Sequence, residues 1–99
     1  MEIERHQLEE MTIEEFAENN NLIMEVHERD NPKLPRCYAH FKHSEIKDGI
    51  CLSGKFGDGE TEQEAIRNYA KEISGQMLVI GAFSNDRRNI QVPRLIEKK

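Results

Sequence analysis

The chain predicts an α+β fold, a two-layer sandwich with elements in the order α-β-β-β-α-β-β. Three observations lead there. Apolar residues alternate with polar ones at Leu22–Arg29 and again between Cys37 and Phe56, the period of half-buried strands. A capped amphipathic stretch follows at Thr61–Ser74, with the period of a helix. After it comes Met77–Phe83, MLVIGAF, apolar throughout apart from Gly81. An antiparallel meander with one main helix packed on it, then a further strand, satisfies all three.

The elements follow in order. Residues 1–11 form a polar extension, and residues 12–99 form a single domain. Thr12 and Glu15 have the spacing of a capping box, Ile13, Phe16 and Ala17 share one helix face, and Asn19–Asn21 ends the helix because Asn tolerates the left-handed conformation. Leu22, Met24 and Val26 then face one way, with Ile23, Glu25, His27 and Arg29 the other. Pro32 and Pro35 mark a loop. Cys37–Lys47 and Ile50–Phe56 read as a hairpin about Asp48-Gly49, a pair that suits a type I′ turn. This register sets Lys47 opposite Ile50 and Phe41 opposite Phe56. Cys37, Ala39, Phe41, Ile50, Leu52 and Phe56 are then buried, and Tyr38, His40, Lys42 and Lys55 face outward. Gly57-Asp58-Gly59 turns the chain into the main helix. Thr61 caps it, Glu64 completes a second capping box, and Ile66, Tyr69, Ala70 and Ile73 form the buried stripe up to Gly75. Met77–Phe83 is a strand buried on both sides or central in the sheet, and Asn89–Val92 a short one that Pro93 confines to an edge or ends. The tail beyond Pro93 is loose.

With 99 residues, one small core is the expectation. Six aromatic side chains are present (Phe16, Tyr38, Phe41, Phe56, Tyr69 and Phe83), and their scarcity places each in the core. A net charge of -5 disfavours nucleic acid as a partner, because phosphate binding rests on Lys and Arg. It favours docking on a basic protein surface. No apolar run approaches a membrane span or a signal sequence, and two cysteines make no disulfide framework, so a cytoplasmic setting is expected.

Cys37-x-x-His40-x-x-His43 has the residue types of a metal motif, but alternation along a strand sends His40 to the face opposite Cys37 and His43, so no metal site is expected there. Gly54-x-x-Gly57-x-Gly59 lacks the spacing of a phosphate loop, and Asp58, Glu60, Glu62 and Glu64 would repel phosphate. No nucleophile elbow is present and no Cys-His pair falls on a plausible shared face, so neither catalysis nor a cofactor is expected. Two surfaces can bind a partner. One is the acidic turn and helix start at Asp58, Glu60, Glu62 and Glu64. The other is the outward strand face with His27, Arg29, Tyr38, His40, Lys42 and Lys55, which pairs basic groups with an aromatic ring. A lesser basic group lies at Arg87-Arg88, Arg94 and Lys98-Lys99.

Over residues 22–80, Gly49, Leu52, Gly57, Asp58, Thr61, Glu64, Ala65 and Ile66 resemble the strand, Gly/Asp turn and T-x-x-E-A-I helix of HicB-like antitoxin domains. The layout is also similar to that of double-stranded-RNA-binding domains. The HicB-like resemblance implies a partial RNase H-like fold without catalytic carboxylates, one that blocks a small basic toxin ribonuclease. The chain departs from that family in having an added helix at Thr12–Asn20 and no room for a C-terminal DNA-binding segment. Its small acidic character and its T-I-E-E-F-A opening also look like phage and prophage proteins that inhibit host defence systems, anti-CRISPR proteins among them. The expectation is a non-catalytic inhibitor of a nucleic-acid-directed protein, a toxin or a defence effector, with homodimer formation open. The alternative is a small nucleic-acid or nucleotide binder that uses the outward strand face.

Overall fold

In the computed structural model, which describes residues 10–97, the chain forms an α+β fold of two helices and mostly antiparallel sheets. Strand β1 (Glu10–Met11) leads to helix α1 (Ile13–Asn20). Thr12 Oγ1 accepts from the Glu15 amide while the Glu15 carboxylate accepts from the Thr12 amide. Asn21 closes the helix at φ 55°. Strands β2 (Met24–Glu28), β3 (Cys37–Phe41) and β6 (Gly57–Gly59) form a three-stranded antiparallel sheet. Strands β4 (Ser44–Asp48), β5 (Cys51–Ser53), β7 (Met77–Ile80) and β8 (Arg88–Gln91) form a second sheet in the order β5-β4-β7-β8. Helix α2 (Glu62–Ile73) joins β6 to β7, and β9 (Arg94–Leu95) pairs in parallel with β1.

The meander expected between Cys37 and Phe56 therefore divides between two sheets. The chain turns at Lys42-His43, where His43 adopts φ 58°, and β4 leaves β3 to pair with β7. Ser44 Oγ donates to the Phe41 carbonyl at 2.6 Å and lies 3.2 Å from the Tyr69 hydroxyl, so α2 fastens the point where the chain changes sheets.

The hairpin register is also corrected. Asp48 pairs with Cys51 and Lys47 with Leu52, so the two-residue loop is Gly49-Ile50. Gly49 takes φ 62° at the first loop position, which a type II′ turn reserves for glycine. A shift of one residue changes which side chains share a face. Ile50 is 99% exposed, and Phe41 pairs with Met24 instead of Phe56. Phe56 and Phe83 also stand outside the core.

Gly57-Asp58-Gly59 is a strand rather than a turn. Its glycines face α2, and a Cβ on Gly59 would lie 2.5 Å from the Ala65 amide nitrogen. Helix and strand approach this closely only because both positions lack side chains. The same approach sets the buried face of α2 as Ala65, Tyr69, Ala70 and Ile73. Ile66, expected in that stripe, is only partly buried and lines a groove with Ile13, Ala70 and Leu95. Thr61 Oγ1 accepts from the Glu64 amide, one half of the expected capping box, and Gly75 follows the helix at φ 75°.

Phe41 sits at the centre of the core, 6.1 Å from the ring of Phe16 and edge-on to Tyr69 at 5.5 Å. Ile73, Leu78 and Val92 complete it. Strand β7 is central and ends at Ile80, short of Phe83. The tail expected to be loose instead pairs Arg94 with Glu10 and Leu95 with Met11. The rest of the polar extension, residues 1–9, and Lys98-Lys99 lie outside the described residues.

Candidate functional site

The inward face of the β2-β3-β6 sheet carries Met24, Val26, Cys37, Ala39, Phe41 and the two glycines of β6. The outward face is set by the same register: Glu25 stands opposite His40, His27 opposite Tyr38, and Tyr38 opposite Asp58. Alternation on β3 buries Cys37, Ala39 and Phe41 and leaves Tyr38 and His40 half-exposed.

The outward side chains form a continuous aromatic row. His27 stacks on Tyr38 at 4.8 Å and on His40 at 5.1 Å. Phe56, 48% exposed in the segment before β6, meets Tyr38 edge-on at 5.7 Å. The guanidinium of Arg29 lies 4.5 Å from the centre of the Tyr38 ring and 5.6 Å from that of Phe56. Arg29 is held by the Pro35 carbonyl, which accepts from Nη1 at 2.9 Å, and by Asp58, whose Oδ1 lies 2.6 Å from Nη2. That contact is an ion pair by distance. Among the described residues this buried oxygen has no hydrogen-bond partner besides that ion-pair contact.

The charged groups on this face are paired. Arg29 faces Asp58. Glu25 lies 3.8 Å from His27. Strand β6 is a sheet edge, and Asn68 of α2 donates to the Asp58 carbonyl at 2.6 Å, which occupies part of that edge.

Of the residues singled out from the sequence, His27, Arg29, Tyr38, His40 and Asp58 share this face. Glu60 is exposed just beyond Asp58, and Glu62 and Glu64 begin α2. Lys42 and Lys55 are exposed in the connecting turns, and neither side chain forms a hydrogen bond or ion pair with the aromatic row among the described residues. Cys37 is buried on the inward face while His40 points outward, so Cys37, His40 and His43 do not converge. Phe56 was hidden by the expected hairpin register. Its place beside Tyr38 becomes visible only once Gly57–Gly59 is known to be a strand. Arg87 and Arg88 do not join a basic surface with the sheet: Arg87 contacts Asn89, and Arg88 donates to the Asn20 carbonyl at the end of α1.

No protein-family model matches the chain, and neither a curated protein nor a solved structure gives a significant match. No helix among the described residues is long and apolar enough to cross a membrane.

Proposed function

We propose that this chain is a non-catalytic protein-binding module that docks through the outward face of the β2-β3-β6 sheet onto the basic surface of a nucleic-acid-directed partner, a toxin or a defence effector. One observation carries the reading. Asp58 stands opposite Tyr38, so the acidic turn and the aromatic strand face, separate in the sequence, form one surface. Tyr and Arg anchors inside a polar rim are the residues on which protein interfaces concentrate their binding energy. The acidic edge at Asp58, Glu60 and Glu62 supplies charge complementary to a basic partner.

The same geometry weighs against nucleic acid. Phosphate binding needs cations free to replace counterions, and Arg29, the cation set against the aromatic row, already faces Asp58. The resemblance of Gly49–Ser74 to HicB-like domains supports an inhibitor of a basic toxin. The aromatic row remains the one feature that favours single-stranded nucleic acid, because bases stack on such rings.

Fluorescence anisotropy with a labelled Arg/Lys-rich peptide and with single- and double-stranded oligonucleotides separates the two. The proposal expects the peptide to bind, Glu60→Lys with Glu62→Lys to slow its association, and the oligonucleotides to stay free up to ~100 μM at physiological salt. Micromolar oligonucleotide binding that falls steeply with salt would replace it with the nucleic-acid reading.

A further inference from the structure

Glu25, His27 and His40 each offer a ligand atom, and these atoms all lie within 4.8 Å of one another. We propose that these three residues bind a single divalent first-row transition ion of the class imidazole favours, with Zn²⁺ as the leading candidate. The proposal is independent of the docking function.

The donor set is chemically apt. Two imidazoles and a carboxylate suit zinc, copper or nickel better than the oxygen-seeking Mg²⁺ or Ca²⁺. Two ligand atoms on one tetrahedral zinc ion stand about 3.4 Å apart, given bonds of about 2.1 Å. Glu25 Oε1 and His27 Nε2, at 3.8 Å, need only a small side-chain adjustment to reach that spacing.

A second observation concerns His40 alone. Its Nδ1 lies 3.0 Å from the Phe41 carbonyl oxygen. A carbonyl only accepts, so in the neutral ring Nδ1 carries the proton and Nε2 presents its lone pair. Metal-binding histidines are commonly oriented in this way, the far nitrogen donating to a backbone carbonyl. The positively charged Arg29 lies just beyond the end of β2, and its charge is turned toward Asp58.

The two imidazole planes are 19° from parallel, so their in-plane lone pairs lie in nearly parallel planes. Closing on an ion requires the rings to turn about χ2 and give up their stacking. Three protein ligands leave a fourth tetrahedral position for water or for a donor from a bound partner. The ligands come from two strands paired in register, so no spacing motif announces them.

The test uses the full chain, stripped with chelator and carrying Cys51→Ser, because Cys51 is a free, exposed thiol and thiols compete for zinc. Zn²⁺ is added in calorimetry and in NMR spectra of the histidine ring protons. The expected result is one ion per chain, with the His27 and His40 ring signals moving together. His27→Gln, His40→Gln and Glu25→Gln each weaken binding by more than about tenfold, while His43→Gln binds as the parent does. The melting temperature rises with Zn²⁺ in the parent and stays fixed in the His27 and His40 variants. Unmoved His27 and His40 signals at excess Zn²⁺ would overturn the proposal. So would affinity that survives all three ligand substitutions or is lost with His43. The spectra of the unsubstituted histidines decide the matter even if a variant folds poorly.

Discussion

Gly57 and Tyr69 stand backbone against backbone: a Cβ on Gly57 would fall onto the amide nitrogen of Tyr69. This contact seats α2 on β6 and places Asp58, between the two glycines, on the outward face.

Gly57→Ala should therefore push the helix off the strand and cost about 3 kcal/mol or more, the upper range for overpacking a core. Gly54→Ala, with open space around the added methyl, should change stability by less than ~1 kcal/mol. Urea denaturation of both variants checks the contrast.

Tyr69 links stability to alkaline pH. Burial raises its phenol above the ordinary value of 10.0, and hydrogen bonds with the Phe41 backbone and Ser44 partly offset the rise. The folded state thus holds this proton more tightly than the unfolded chain does. Its contribution is complete below the ordinary tyrosine value and is lost as pH rises through the raised value. Tyr69→Phe should lose ~0.5–1.5 kcal/mol near neutral pH with the Ser44 bond and show a shallower alkaline decline. Chemical denaturation at a series of pH values tests this, and parallel alkaline limbs would contradict it.

Ile73 and Ile66 lie on the same helix but differ in burial. Ile73→Ala should cost ~2–5 kcal/mol, as for a fully enclosed residue. Ile66→Ala should cost less than ~2 kcal/mol, because its side chain borders the open groove beside Leu95. Equal losses would mean that the groove is closed in solution.

The contrast between these two isoleucines shows what the sequence could reveal. Helical period alone grouped Ile66 with Tyr69 and Ile73. The true face is rotated toward Ala65 because Gly57 and Gly59, on the strand just before the helix, admit the helix backbone. Local signals were legible wherever the chemistry was local: the Thr12–Glu15 capping box, the left-handed Asn21, and the alternation of Cys37, Ala39 and Phe41. The change of sheet at His43 was not legible, since it depends on β7 competing for β4. The Asp48-Gly49 pair pointed to a turn but misplaced it by one residue, which changed the facing of Ile50 and Phe56. Tyr38 and His40 were legible as members of one outward face with His27 and Arg29, whereas Asp58 was assigned to a separate acidic turn. Its place opposite Tyr38 follows from strand register, which reading Gly57–Gly59 as a turn had obscured.

The most direct test of the docking face is an amide NMR titration of the full chain with the Arg/Lys-rich peptide. The account predicts that Tyr38, Phe56, Asp58 and Glu60 shift together, that Tyr38→Ala weakens binding by about tenfold or more, as an interface anchor should, and that Glu14, Glu15 and Glu18 of α1 remain unperturbed. Shifts spread evenly over the acidic residues of α1 and α2, with Tyr38 and Phe56 unmoved, would contradict it.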